Sequence, residues 1–162
     1  MDKRQKFTAR IAPAYAACAW AVVCAAASFY WASGGTWGVQ TVGVDTLARN
    51  PWFIIIVWIT GALKAFVGLL ALALVRPWGR IMPRWIPLAA TWGAGVLFFL
   101  YGAANLAVRG LMAVGILKTP DAMYSAAGYW HLLLWDPWWL IGGILFITAA
   151  WVQRERKTPM NA

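Results

Sequence analysis

Long apolar runs, separated by short polar segments, set the pattern of this chain. A helix needs about 20 apolar residues to cross about 30 Å of hydrocarbon. Four runs meet or approach that length, and they cover residues 11–32, 52–75, 86–108 and 136–152. Glycine or arginine closes each run, as is typical of helix ends and of membrane boundaries. The pattern predicts an all-α integral membrane four-helix bundle, forming one domain over residues 1–162.

The first run also resembles a secretory signal peptide, because it has a basic head and small residues at Cys24–Ser28. It is too long for that interpretation, since the apolar part of a signal peptide has about 7 to 15 residues. The aromatic residues Phe29, Tyr30 and Trp31 also directly follow the small residues where cleavage would occur. We therefore expect the run to be retained as the first membrane helix.

Composition supports a membrane protein, with 62% hydrophobic and 12% charged residues against about 25% charged residues in soluble domains. The net charge of +9 does not point to nucleic acid, because the basic residues separate apolar runs instead of forming a basic face. The lipid bilayer is therefore the expected partner, and no nucleic acid is expected.

Orientation follows from the placement of lysine and arginine, which favour cytoplasmic loops. The N-terminal tail, the loop between the second and third runs, and the C-terminal tail are basic, including Arg156 and Lys157. The other two loops hold only Arg49, Arg109 and Lys118. Both termini are therefore predicted to be cytoplasmic. Tryptophan, which favours membrane interfaces, would form an outer belt of Trp31, Trp37, Trp52, Trp130, Trp135, Trp138 and Trp139, and an inner belt of Trp78, Trp85 and Trp151.

Lys64 lies near the centre of the second run, where a charged side chain costs about 2.5 to 3.5 kcal/mol on insertion scales. It belongs to a stripe of small residues, which lets membrane helices approach closely. Lys64 should therefore face neighbouring helices. The stripes are Val57, Gly61, Lys64, Gly68 and Ala71 in the second run, Thr91, Gly95, Phe98, Gly102 and Asn105 in the third, and Asp136, Leu140, Gly143, Ile147 and Ala150 in the fourth.

Several polar residues at similar depth define a candidate pocket that opens outward. Its members are Lys64, Tyr101, Asn105, His131, Trp135, Asp136 and Tyr30. Three interpretations remain open: a structural ion pair between Lys64 and Asp136, a ligand or substrate site, and a lysine that extends toward the interface on its own.

The stretch WHLLLWDPWW, residues 130–139, contains the only histidine. Asp136-Pro137 fits a helix N-terminus, because proline favours the first turn and aspartate caps it. We expect the last span to start there, after a separate interfacial turn at Trp130–Trp135. His131 and Trp135 would share one face of that turn. His131 is either an acid, base or headgroup ligand, or a hydrogen-bonding residue of the belt.

Motifs for known chemistry are missing from the sequence, which has no HExxH, GxSxG, Walker-type loop or CxxC. No metal or cofactor is expected, and Cys18 and Cys24 are not expected to form a disulfide. The leading hypothesis is a non-enzymatic membrane protein that binds a lipid, a small amphipathic ligand or a partner helix. One alternative is a small enzyme acting on a lipid-soluble substrate, with His131 or Asp136 as acid or base and Lys64 stabilising developing negative charge. Another is an accessory subunit of a larger membrane complex, and the chain could form a homo- or hetero-oligomer.

Two motifs carry a resemblance to a known family: FYWASGGTWG at residues 29–38 and WDPWWLIGG at residues 135–143. The chain resembles, from about Ala14 to Ala150, a family of small bacterial four-helix membrane proteins with a domain of unknown function. Many members have histidine where this chain has Phe29. The resemblance implies four helices in a bacterial inner membrane and implies no activity.

Overall fold

The computed structural model describes residues 2–43 and 50–154, and these residues form helices and contain no β-strand. Arg49, Arg156 and Lys157, which entered the charge argument, lie outside the described residues. The long helices are α1 (Lys3–Ala32), α2 (Pro51–Ala73) and α3 (Trp85–Ala113). A short helix α4 (Ala126–Trp130), a π-turn (His131–Trp135) and helix α5 (Asp136–Arg154) complete the chain.

Within the described residues, four helical segments are long and apolar enough to cross a membrane: Phe7–Ala32, Pro51–Ala73, Trp85–Ala113 and Ala126–Arg154. The predicted all-α, four-helix membrane fold is confirmed. The second helix also begins as its sequence indicates, since Asn50 accepts a hydrogen bond from the backbone of Trp52 at 3.0 Å and Pro51 takes the first helical position.

The helices form a four-sided bundle in which α1 packs on α2 and α5, and α3 packs mainly on α5. Trp20 lies at the centre of the bundle and is only 4% exposed. Its indole donates a hydrogen bond to the carbonyl of Trp138 at 3.1 Å. Its ring also contacts Phe98, Trp138, Trp139 and Phe146. Trp138 and Trp139 were predicted to join the outer belt, but the structure shows both partly buried against this core.

Small residues bring the helices together, as the three stripes predict. Gly61 and Gly68 of α2 face α1, where a side chain in place of either hydrogen would meet Phe29 or Ala21. Gly95 and Gly102 of α3 face the backbone of α5 in the same way. The stripes therefore identify the packed faces of α2, α3 and α5.

The fourth span starts at Ala126, not at Asp136 as the Asp-Pro pair suggested. Asp136 instead lies inside a continuous helix with helical backbone angles, φ −67° and ψ −44°. Its N–H bonds to the carbonyl of His131, five residues earlier, which is the π-turn pattern. Pro137 lacks an N–H and its ring crowds the carbonyl four residues before it. The wider π-turn relieves that conflict and lets the helix continue. The predicted separate interfacial turn at Trp130–Trp135 is therefore wrong, because these residues belong to the last span.

Candidate functional site

Asp136 is completely buried and forms an ion pair with Arg109, whose Nε lies 2.9 Å from its Oδ2. The arginine reaches it because α3 continues to Ala113, beyond the end at Val108 that the sequence suggested. The predicted alternative of an ion pair between Lys64 and Asp136 is therefore wrong. Asp136 lies on the α5 face that packs on α3, whereas the stripe of Lys64 packs on α1.

His131 contacts the other oxygen of the same carboxylate, with 3.6 Å between its Nδ1 and Oδ1 of Asp136. A carboxylate beside Nδ1 favours the tautomer with the proton on that nitrogen, which leaves Nε2 as an acceptor. The π-turn brings this contact about, because it holds both residues in one helix with Asp136 five positions after His131. Nδ1 of His131 thus faces a buried carboxylate, at a distance longer than a hydrogen bond.

Lys64 donates a hydrogen bond to Ser28 of α1, with 2.9 Å between Nζ and Oγ. The hydroxyl of Ser28 in turn donates a hydrogen bond to the backbone carbonyl of Cys24 at 3.0 Å. The ammonium also lies 5.5 Å from the ring centre of Trp139, a distance that allows a cation–π interaction. Within the described part of the chain, no carboxylate pairs with Lys64.

A cavity of about 290 Å³, which we call the tryptophan cavity, lies between α1, α2 and the π-turn. Four tryptophans form much of its wall, and nearly all of the lining is apolar. Polar groups come from Lys64, Ser28 and His131. Its tryptophans are Trp31, Trp135, Trp138 and Trp139, and its other lining residues include Val23, Cys24, Ala27, Val42 and Leu134.

Hydrogen bonds hold the outer rim of the tryptophan cavity. Trp135 donates to the hydroxyl of Thr41 at 3.1 Å, and Trp31 donates to the carbonyl of Trp37 at 3.0 Å. The Trp31 and Trp135 rings meet edge to face, with 5.8 Å between their centres. These contacts tie the segment after α1 to the π-turn, so the tryptophans form a fixed wall.

A second cavity of about 490 Å³ lies between the end of α3 and helix α4, and we call it the outer cleft after the predicted orientation. Asn105, Arg109, Ser125 and His131 supply its polar side chains, and no acidic residue of the described chain lines it. Val42 and His131 line both the outer cleft and the tryptophan cavity. The two cavities therefore share a wall at His131.

A third space, the α2–α3 groove of about 540 Å³, lies on the other side of Lys64. Tyr101, Leu63 and Leu97 line it and are 49% to 65% exposed. Lys64 and Trp139 line both this groove and the tryptophan cavity. The side chains of Lys64 and Trp139 thus separate the groove from the tryptophan cavity.

The structure separates the predicted pocket residues into these neighbouring spaces. Lys64, His131 and Trp135 meet in the tryptophan cavity, whereas Asn105 lies in the outer cleft and Tyr101 in the groove. Tyr30 lies apart from them, because its ring covers Gly35 and its hydroxyl accepts from the N–H of Trp37 at 3.2 Å. Asp136 lines none of the three spaces, but it contacts Arg109 and His131, which do.

Arg109, Ser28 and Cys24 are site residues that the sequence interpretation missed. Arg109 follows Asn105 by four residues and continues the stripe of α3, so the same periodicity would have included it. Ser28 and Cys24 are one turn apart in an alanine-rich helix, and nothing in their spacing marks them out. Among the described residues, no group of three His, Cys, Asp or Glu side chains is arranged to hold a metal ion.

The fold and the site define a multi-pass membrane protein with a four-helix bundle and aromatic-lined cavities at one end. The family model described as "Protein of unknown function (DUF3995)" matches residues 21–146. The chain belongs to that family, and the expected membership in a family of unknown function is confirmed. No curated protein and no solved structure matches the chain.

Proposed function

We propose that the protein binds a small amphipathic molecule of the membrane in the tryptophan cavity, and that it acts by binding instead of catalysis. The observation that carries this proposal is the Lys64 ammonium in the wall of an otherwise apolar, aromatic cavity. Apolar walls with one or two placed polar groups are typical of small-molecule sites.

The chemistry of Lys64 supports a ligand with an oxygen acceptor. An ammonium group has three N–H donors, and Ser28 accepts one of them. Asp136 is already paired with Arg109. An ester or carbonyl oxygen of the ligand would satisfy a remaining donor, while the tryptophan rings contact its apolar part.

The size of the tryptophan cavity favours a single-chain molecule. Its volume of about 290 Å³ is near the lower end of the about 300 to 1,000 Å³ found for ligand pockets. A single-chain lipid with one acyl ester, such as a monoacylglycerol, has the required oxygen and an apolar part of suitable width.

The distribution of charge supports an orientation with the cavity on the extracytoplasmic side of the membrane, which we propose to be a bacterial inner membrane. Arg76, Arg80 and Arg84 lie in the connection between α2 and α3, at the opposite end of the bundle from His131. Lysine and arginine concentrate in cytoplasmic loops. Both termini are then cytoplasmic.

Photocrosslinking with a monoacylglycerol that has a diazirine on its acyl chain tests this function. We expect saturable labelling of α1 near residue 27 and of residues 131–139. Ala27→Phe would fill the cavity and remove that labelling. Ala26→Phe is the matched control, because Ala26 is exposed on the same helix. Labelling confined to the exposed face of α2 and unchanged by Ala27→Phe would contradict the proposal.

A second candidate function, an enzyme for a lipid-soluble substrate, is favoured by the contact between Asp136 and His131. Because Nδ1 of His131 faces the carboxylate, Nε2 is the nitrogen that would accept a proton from a substrate. Incubation of the purified protein with the monoacylglycerol, followed by mass spectrometry of the lipid, tests it. Turnover that His131→Gln abolishes without loss of labelling would favour the enzyme over simple binding.

A further inference from the structure

The outer cleft has a partly exposed arginine in its wall that can bind an anion. Arg109 is 27% exposed, and its guanidinium has four N–H donors besides the Nε that faces Asp136. The paired carboxylate is completely buried, so a molecule in the cleft meets the arginine and not the acid. A planar guanidinium matches the oxygens of phosphate and carboxylate groups.

The depth of the outer cleft in the membrane matches the depth at which lipid headgroups lie. From Asp136 to Arg154 the helix rises about 27 Å at 1.5 Å per residue, close to the about 30 Å thickness of the hydrocarbon. Arg109 lies about 36 Å along α3 from Trp85. The cleft is therefore at the outer edge of the hydrocarbon, in the layer where lipid headgroups lie.

The outer cleft and the tryptophan cavity adjoin. His131 and Val42 line both, and Lys64 lies in the tryptophan cavity on the inner side of His131. A single-chain lipid has the same order of groups, with a charged head, an ester oxygen below it and an apolar chain.

We infer that the two cavities hold one anionic amphiphile, whose phosphate or carboxylate pairs with Arg109 and whose apolar part lies among the tryptophans. This inference rests on the proposed function and adds the charge of the ligand and the residue that selects it. Asp136 is a positioning residue, because it holds the guanidinium at the wall of the cleft through Nε.

A pair of photoactivatable lipids tests the inference on the full chain in detergent or in nanodiscs. Lysophosphatidic acid carries a phosphate, and the monoacylglycerol with the same acyl chain does not. We expect the phosphate lipid to half-saturate labelling of residues 131–139 at about a tenfold lower concentration, as hydrogen bonds to a charged group imply.

Two variants remove the selecting group while keeping the fold. Arg109→Gln combined with Asp136→Asn deletes both charges together and leaves neither buried alone. Arg109→Lys keeps a positive charge beside Asp136 but loses the planar fork. Both should reduce the tenfold preference toward one.

The remaining outcomes separate this inference from the proposed function. Equal half-saturation by the two lipids in the native protein would overturn the anion subsite and leave the proposed function standing. Failure of both lipids to label residues 131–139 would overturn both. Inorganic phosphate should not displace the phosphate lipid, because the free ion has no apolar part. Displacement by inorganic phosphate as effective as that by unlabelled lysophosphatidic acid would show a site for the free ion and overturn the single-amphiphile inference.

Discussion

Arg109 and Asp136 join α3 to α5 at the end of the bundle opposite the α2–α3 connection, with 2.9 Å between Nε and Oδ2 and the carboxylate completely buried. The desolvation cost of such a pair offsets much of its Coulomb attraction, so its presence is weak evidence for added stability. Removal of one partner has a different effect, because the other charge then stays buried alone. Loss of either charged side chain should therefore destabilise the packing of α3 on α5.

Asp136→Ala and Arg109→Ala should each lower the free energy of unfolding by about 3 to 5 kcal/mol, because each leaves an uncompensated charge. The combined Arg109→Gln and Asp136→Asn variant should recover most of that loss. Thermal unfolding of the purified protein in detergent measures both effects.

Asp121→Asn is the control for these variants, since Asp121 is an exposed acid in a short 3₁₀ helix. It should change the unfolding temperature little. A double variant no more stable than the single variants would show that the pair itself, and not the isolated charge, stabilises the bundle.

The sequence pattern predicted the helices and the packed face of each. It did not predict which of these faces contact one another. Spacings of three and four residues placed Lys64 and Asp136 on packed stripes, which is correct. Periodicity within one helix contains no information about which neighbour a stripe meets. Lys64 therefore meets Ser28 of α1, and Asp136 meets Arg109 of α3.

Proline explains the other difference between prediction and structure. An Asp-Pro pair favours a helix N-terminus locally, yet the π-turn carries the helix through Pro137. Packing of α5 against α3 and α1 supplies the stabilisation that local preferences omit. The contact between His131 and Asp136 follows from that turn, so the sequence pattern alone did not predict it.

Gly102→Ala should destabilise the bundle by about 1 to 3 kcal/mol, because an added methyl group would meet the α5 backbone near Leu140. Backbone atoms cannot move aside as a flexible side chain can. Gly93→Ala is the matched control in the same helix, since nothing lies within 4 Å of its added carbon. That control should be neutral or stabilise the helix by up to about 1 kcal/mol. Equal unfolding temperatures for the two variants would contradict close α3–α5 packing at Gly102.

Cysteine labelling in intact cells tests the predicted orientation. Ile116→Cys and Ile81→Cys place a thiol at exposed positions on opposite ends of the bundle, in a chain whose native cysteines are replaced. A membrane-impermeant maleimide should label Cys at position 116 in intact cells and at position 81 only after permeabilisation. The reverse pattern would place the tryptophan cavity on the cytoplasmic side and contradict the charge argument.

Lys64→Met tests whether the ammonium anchors a ligand or only separates the tryptophan cavity from the α2–α3 groove. Methionine keeps much of the length and the apolar contact with Trp139 but removes the charge and its donors. Because a lysine at membrane depth costs about 2.5 to 3.5 kcal/mol on insertion scales, stability should not fall. The concentration of monoacylglycerol that half-saturates labelling should rise about tenfold, as loss of a hydrogen bond from a charged donor implies. Ile59→Met, at an exposed position on the same helix, should leave both quantities unchanged. If Lys64→Met binds the lipid as tightly as the native protein does, Lys64 is only the partition, and recognition depends on the tryptophans alone.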